Sequence, residues 1–390
     1  MSQTAAVERP TRIAYIPALD GLRGLLVFPV ALFHYSITAG WNPQRVLAPG
    51  SFFAPSTFFA LSGFLITSLL LAEHERTGGI DGRGFWSRRF RRLLPASLLV
   101  IVAVAALGLL WPTSPYDLPA SNVAGPLFSV ANWQAIHWAS TGQSWALLGP
   151  LGIFWSLSLE EQFYLGLFVV VMIAAARATH LVRWLTGLLI AAGVVSITSM
   201  VLVQSSPQRE FFGTDTRASE LVAGCLLAVW IHQRGFPRSK WWPIVGLGSL
   251  AVAVAAWAFV HESDPWVLGG GLAAFSIVNL GLIMGCLVTG PMTRLMQIAP
   301  LVQLGRLSYP VYLIHWPLVF FIVPNDTWFV GWPVIVVRFV VAVALAWAVF
   351  RFVERPLRAS ELIRFPKGAG IWAAGAAAAL GMAALHSGWR

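Results

Sequence analysis

The chain has 390 residues, 57% of them hydrophobic and 11% charged, with a mean hydropathy of +0.72. No soluble domain of this length buries so much apolar surface, so the composition excludes an ordinary soluble enzyme and marks a polytopic membrane protein. The formal charge of +10 raises nucleic acid as a partner, but the placement of that charge along the chain argues against it.

Runs of roughly 17 to 25 mainly apolar residues can span a bilayer. Eleven such stretches occur: 17–37, 51–72, 93–111, 151–176, 184–203, 217–233, 242–260, 267–290, 304–323, 332–350 and 370–386. The expected fold is therefore all-α, a polytopic integral membrane protein with ten to eleven transmembrane helices. Residues 1–358 are expected to form one membrane-embedded domain. Residues 359–390 are read as a cytoplasmic linker and an eleventh helix, whose Ala and Gly content suits tight packing. With a cytoplasmic N-terminus, 20 of the 26 Lys and Arg fall on cytoplasmic segments. Only Arg45, Arg209, Arg217 and Arg390 fall outside, and Arg23 and Arg338 lie within spans. This asymmetry follows the positive-inside rule, so the basic charge is topological and no nucleic-acid partner is expected. The first span carries Arg23 and has no small-residue cleavage site beyond it, so it is not read as a cleaved leader. Cys225 and Cys286 lie in apolar runs and read as packing residues.

The first span, Ala18 to Tyr35, holds Asp20, Arg23 and His34. Ionisable groups in hydrocarbon are costly and normally face a protein interior or a wet cavity. Arg23 and His34 are eleven residues apart, roughly three helical turns, so they share a face about 16 Å apart along the axis. Two readings suit this: a polar seam between helices, or a site with a guanidinium and an imidazole at different depths. Pro29 lies between them and is able to bend the helix.

In the second span, Ser62 and Gly63 permit close backbone approach. Next come Arg88, Arg89, Arg91 and Arg92, of which the first, third and fourth share one helical face. Such forks suit phosphates, and basic residues beside a span also meet lipid headgroups. The stretch from Pro112 to Pro150 lacks Lys and Arg and carries Trp133, Trp138 and Trp145. It is expected to lie at the interface or to fold back into the protein. Glu160 and Glu161 sit about ten residues into the next span and point about 100° apart. One of them facing the His34 slot and a buried carboxylate paired with an Arg are equally open readings. Asp215, Arg217 and Glu220 open the sixth span, the last two at pairing distance along the helix. His315 lies in the ninth and is expected to be a satisfied interior histidine.

These segments in this order resemble the acyltransferase-3 family of integral membrane acyltransferases, over about residues 14 to 358. The resemblance rests on Leu19-Asp-Gly-Leu-Arg23-Gly24 with His34, Phe59-Ala-Leu-Ser-Gly-Phe-Leu-Ile66, and the Arg88–Arg92 cluster. It continues through Trp155-Ser-Leu-Ser-Leu-Glu-Glu-Gln-Phe-Tyr164, Asp215-Thr-Arg217, Leu307-Ser-Tyr309 with Tyr312-Leu-Ile-His315-Trp-Pro317, and Glu354-Arg355-Pro356. It implies transfer of an acyl group, usually acetyl, from cytosolic acyl-coenzyme A to a hydroxyl, with acyl-CoA as co-substrate and no metal. Family acceptors include surface polysaccharides, lipopolysaccharide sugars and macrolides. Some relatives carry a fused SGNH-type domain after the last span; here any extracytoplasmic relay partner is expected to be a separate protein.

On this reading His34 is the general base or a nucleophile that carries the acyl group. Glu160 or Glu161 orients it, Arg23 with Arg88, Arg89, Arg91 and Arg92 holds the coenzyme A phosphates, and Asp215 with Arg217 touches the acceptor. The rival readings are a macrolide acyltransferase and a proton-coupled exporter, which uses the same residue types but leaves the arginine cluster unexplained.

Overall fold

The computed structural model describes residues 15–42, 44–110, 120–142, 149–176, 180–203, 206–236, 239–325, 328–360 and 367–388. Trp145 lies outside these residues, as do Arg9, Arg12, Arg177, Arg238, Arg364 and Arg390 of the charge comparison. The described elements are helical throughout, with no strand among them. They begin with α1 (Pro17–Ser36), α2 (Phe53–Thr77), α3 (Gly82–Leu110), α4 (Ala120–Leu127), α5 (Ala131–Ser140), α6 (Phe154–Ala175) and α7 (Leu181–Leu202). A short α8 (Pro207–Phe212) precedes α9 (Thr214–Arg234) and α10 (Trp242–Phe259). A π-type turn, Val267–Gly271, leads into α11 (Leu272–Ala274) and α12 (Ser276–Leu287). The chain continues with α13 (Pro291–Met296), α14 (Ala299–Arg306), α15 (Ser308–His315) and α16 (Pro317–Phe321). It closes with α17 (Trp332–Val349), a π-type turn, α18 (Arg355–Ala359) and α19 (Lys367–Gly388).

Nine stretches among the described residues are long and apolar enough to cross a membrane, which makes this an all-α, multi-pass membrane protein. They match nine of the eleven expected spans, including the last, Gly368–Leu385. The other two differ for physical reasons. Residues 217–233 lie within α9, a continuous helix whose Asp215, Arg217, Glu220 and Arg234 keep it from being apolar. Residues 304–323 form no single helix; they are divided among α14, α15 and α16, with breaks at Leu307 and Trp316. Pro317 has no N–H to give Leu313, which stops α15 at His315. A helix can break at membrane depth only where protein encloses the freed backbone groups. Here the flanking His315 and Trp316 are buried.

The bundle is layered about α1 and α2, whose apolar stretches are 61% and 72% buried, against 22–33% for α3, α6, α7, α10 and α19. Two backbone contacts fix the centre. A Cβ on Gly63 would lie 2.0 Å from the Leu221 carbonyl oxygen, and one on Gly224 1.8 Å from that of Ala60, so α2 and α9 touch directly. Gly24 and Gly305 make the same approach between α1 and α14. Small residues let helices pack where lipid supplies no hydrophobic drive. The stretch after α3 folds back into the protein as an α4–α5 hairpin turning at Ser129, whose φ is 55°. Its tip is held by α6: Gln162 Nε2 donates to the Ser129 carbonyl at 2.7 Å, and the Ala131 N–H to Ser158 Oγ at 3.2 Å.

Candidate active site

His34 lies near the C-terminal end of α1, and its ring meets that of His315 from the broken helix. His34 Nδ1 is 3.0 Å from His315 Nε2, and His315 Nδ1 is 2.6 Å from the Tyr312 carbonyl oxygen. A carbonyl only accepts, so His315 Nδ1 carries the hydrogen. With His315 neutral, its Nε2 holds a lone pair and must accept from His34 Nδ1. The chain of contacts thus selects one tautomer of His34 and leaves its Nε2 as a free lone pair. His315 is buried and bonded, as an interior histidine should be, and it is also the partner of His34. The end of α1 is anchored by Arg338 of α17, whose guanidinium donates to Thr38 Oγ1 at 2.8 Å and to the Ile322 carbonyl at 2.9 Å.

His34 lines a cavity of about 80 Å³, with Ser51, Glu262 and Tyr312 among its polar walls and Trp155, Phe211 and Trp316 among its aromatic ones. A second cavity of about 150 Å³ is lined by Arg23, Ser62, Arg89, Arg92 and Glu160, and also by Tyr312. Arg92 belongs as well to an open pocket of about 230 Å³, which it shares with Arg88, Arg91 and Arg358. The three spaces adjoin in order from the arginine-bearing end of the bundle to His34: the first two share Arg92 as a wall, and the last two share Tyr312 and Pro55. A fourth and roomier cavity, about 470 Å³, lies beside the middle one and shares Arg89, Leu93, Leu157 and Tyr309 with it.

The arrangement separates the sequence-derived candidates. Arg23 is 3.9 Å from Asp20 and lines the middle cavity. Arg88 is paired with Glu73 at 2.7 Å, and Arg91 Nε donates to the Ser87 carbonyl. Arg89 is paired with Glu161 at 3.2 Å and lies over the Tyr164 ring at 3.3 Å. Glu160 accepts from Ser62 Oγ at 3.0 Å. Neither glutamate bonds His34: Glu161 is the carboxylate paired with an arginine, and the imidazole is oriented by a second histidine. Ser62 therefore serves a carboxylate, while Gly63 beside it supplies the backbone approach.

Asp215 makes a two-pronged pair with Arg209, both contacts at 2.7 Å. Arg217 is fully buried, its guanidinium bonded to both Glu220 oxygens, the Phe211 carbonyl and Ser56 Oγ. The Arg217–Glu220 pair forms, but inside the protein, and Arg217 stands behind the aromatic rings of Trp155 and Phe211 that line the His34 cavity. Four residues of this region went unassigned in the sequence. Tyr312 and Ser156 lay within quoted motifs. Arg358, four residues after Glu354 and bonded to it, and Glu262 carried no local signal.

The class these features define is a polytopic membrane protein whose polar chemistry is enclosed in its helical bundle. The model of the acyltransferase-3 family (Acyl_transf_3, acyltransferase domain) matches residues 16–351. The chain belongs to that family. It is similar to the peptidoglycan O-acetyltransferase OatA of Listeria monocytogenes, 33% identical over 93% of this chain and 59% of that protein. It is also similar to the putative peptidoglycan O-acetyltransferase YrhL of Bacillus subtilis, 32% identical over 90% of this chain and 56% of that protein. O-acetyltransferase OatA of Staphylococcus aureus is 30% identical over 88% and 57%. The chain thus spans less than two thirds of the length of these curated relatives. No solved structure matches it.

Proposed function

We propose that this protein transfers an acyl group, acetyl first among them, from cytosolic acyl-coenzyme A to a hydroxyl of a carbohydrate acceptor. The observation that carries the reading is the series of adjoining cavities from an arginine-lined mouth to the Nε2 lone pair of His34. Arg88, Arg91, Arg92 and Arg358 hold the phosphates of the coenzyme, since guanidinium forks match phosphate oxygens. The thiol arm extends past Arg23 and Arg89 toward Tyr312, and the acceptor reaches His34 from the other side, beside Glu262. The printed names of the relatives favour a glycan, and peptidoglycan in particular, as acceptor. The Lys and Arg bias favours an N-terminus in the cytoplasm, which sets the arginine mouth on the side where acyl-coenzyme A is made.

His34 Nε2 serves in one of two ways. As a base it takes the acceptor proton while the hydroxyl oxygen bonds the thioester carbon; the C–S bond breaks and the proton passes to the thiolate. As a carrier, Nε2 itself bonds that carbon, and the Nδ1 proton moves to His315 Nε2 and on to the thiolate, leaving a neutral acyl-imidazole. The test is His34→Ala in the full chain, purified and supplied with acetyl-coenzyme A and a peptidoglycan fragment. Transfer is expected to vanish with the melting temperature unchanged; activity above a tenth of wild type would overturn the assignment. Labelled donor without acceptor separates the two modes, because only a carrier takes label onto the protein.

A further inference from the structure

Tyr312 is the one polar side chain, among the described residues, that lines both the arginine-bearing cavity and the His34 cavity. Its immediate neighbours Val311 and Leu313 are buried while Tyr312 is only partly so, and it lines space on two sides. The phenol oxygen is 2.5 Å from Ser156 Oγ and donates at 3.3 Å to the Ile153 carbonyl. Its backbone carbonyl is the acceptor that fixes His315 and, through it, the tautomer of His34. One residue therefore sets the lone pair of His34 from its main chain and carries a hydroxyl into the passage on its side chain.

Several other polar groups that line or flank these cavities are engaged elsewhere. Ser62 donates to Glu160, Arg89 to Glu161, Tyr309 to the Leu93 carbonyl, and the Trp316 indole to the Gly149 carbonyl. The phenol has one hydrogen and two oxygens competing for it. Ser156 has a second acceptor of its own in the Ile153 carbonyl, at 3.4 Å. If Ser156 donates to that carbonyl or to the phenol oxygen, the Tyr312 O–H becomes free for a third party without leaving a buried group unpaired.

We infer that the Tyr312 hydroxyl is a catalytic residue, the hydrogen-bond donor to the thioester carbonyl oxygen as the acyl group passes from one cavity to the other. The inference rests on the thioester reading of the donor. When His34 Nε2, or an acceptor oxygen deprotonated by it, bonds the carbonyl carbon, the C=O π pair moves onto oxygen. Tyr312 donates a hydrogen bond to that oxygen and keeps its proton. The pair returns to re-form C=O as the C–S bond breaks, and the thiolate leaves toward the arginines. Donors aimed at a developing oxyanion act in the transition state more than in the ground state, so their loss appears in kcat.

Tyr312→Phe keeps the ring that shapes the passage and removes only the O–H. It is expected to lower kcat about 100- to 1000-fold, the usual cost of one such donor, with coenzyme A affinity within threefold and an unchanged melting temperature. Ser156→Ala, which removes the resting partner and leaves the phenol in place, is expected to keep kcat within tenfold. A kcat within threefold for Tyr312→Phe overturns the inference. So does a Ser156→Ala loss equal to that of Tyr312→Phe, because the Tyr–Ser bond would then matter as structure. So does a parallel fall in coenzyme A affinity and melting temperature. The donor reading fails separately: wild-type protein that consumes no acetyl-coenzyme A with any glycan acceptor removes both claims at once.

Discussion

Two sets of arginines in this protein differ in what surrounds them. Arg217 and Arg338 are both fully buried, and protein acceptors take up their donors: Glu220, Ser56 and the Phe211 carbonyl for one, Thr38 and main-chain carbonyls for the other. Arg88, Arg91, Arg92 and Arg358 share an open pocket in which Glu73 is bonded to Arg88 and Glu354 to Arg358, while among the described residues no carboxylate is bonded to Arg91 or Arg92. Charge in a low-dielectric interior needs its partners in the fold itself. Charge held at a wet mouth with few protein acceptors remains free for a ligand. The contrast separates arginines that the fold saturates from arginines that it leaves with few protein partners, the ones proposed above to meet coenzyme A. The sequence treated Arg217 and Arg91 alike, as ligand contacts, and burial parts them.

The largest effect expected is on the buried set. Arg217→Ala leaves Glu220 as a buried, uncompensated charge, which costs on the order of 3–5 kcal/mol. The outcome is a strongly lowered melting temperature or a failure to recover folded protein, read by thermal unfolding in detergent. Replacing both partners, Arg217→Ala with Glu220→Ala, should cost less than Arg217→Ala by itself, because no lone charge remains. A single variant that melts like wild type would mean solvent reaches Glu220, and the division between the two sets would fall.

The open set should behave the other way. Arg91→Ala combined with Arg92→Ala is expected to weaken coenzyme A binding by several kcal/mol, at about 1.5–3 kcal/mol for each hydrogen bond to a charged group. Stability should stay where it was. Titration of coenzyme A by calorimetry, beside a melting curve of the same sample, reads both at once. Unchanged affinity would assign the cluster to lipid headgroups.

Why burial was the missing quantity follows from the kind of contact involved. Helix geometry within a single span was enough to expect Arg23 and His34 on one face, and they line two cavities that share Tyr312 and Pro55. The divergence of Glu160 and Glu161 was legible for the same reason, and they do part, one to Ser62 and the other to Arg89. His315 is 281 residues from His34, and nothing in local spacing joins the two rings. Hydropathy reads 304–323 as one span because it weighs side chains and takes no account of the N–H that Pro317 lacks. The same index gives α9 a place among the spans although four charged residues line it; the local pairing of Arg217 with Glu220 was legible from their spacing, but its full burial is a tertiary fact. Tyr312 stood in a recognisable motif, but only the meeting of two cavities gives its hydroxyl a role.

Glu210 supplies the subtlest test of the contrast. It belongs to α8, outside the spans, is buried, and neither carboxylate oxygen has a hydrogen-bond partner among the described residues. The nearby Arg217 favours the ionised form, but its donors are committed to Glu220, Ser56 and the Phe211 carbonyl. Burial therefore prevails and pushes the Glu210 carboxyl up to about 7 from an ordinary 4.5. A carboxyl raised on folding holds its proton more tightly in the native state. Its contribution to stability is fully present below about pH 4.5 and is lost as the pH rises through about 7. Glu210→Gln keeps the shape and removes the titration, so it should melt close to wild type at pH 5 and above it at pH 8. The measurement is a pair of melting curves for each protein at the two pH values. An equal gap at both would show that Glu210 is ionised in the fold at its ordinary pKa, which requires a partner with donors to spare, and Arg217 would no longer count as saturated.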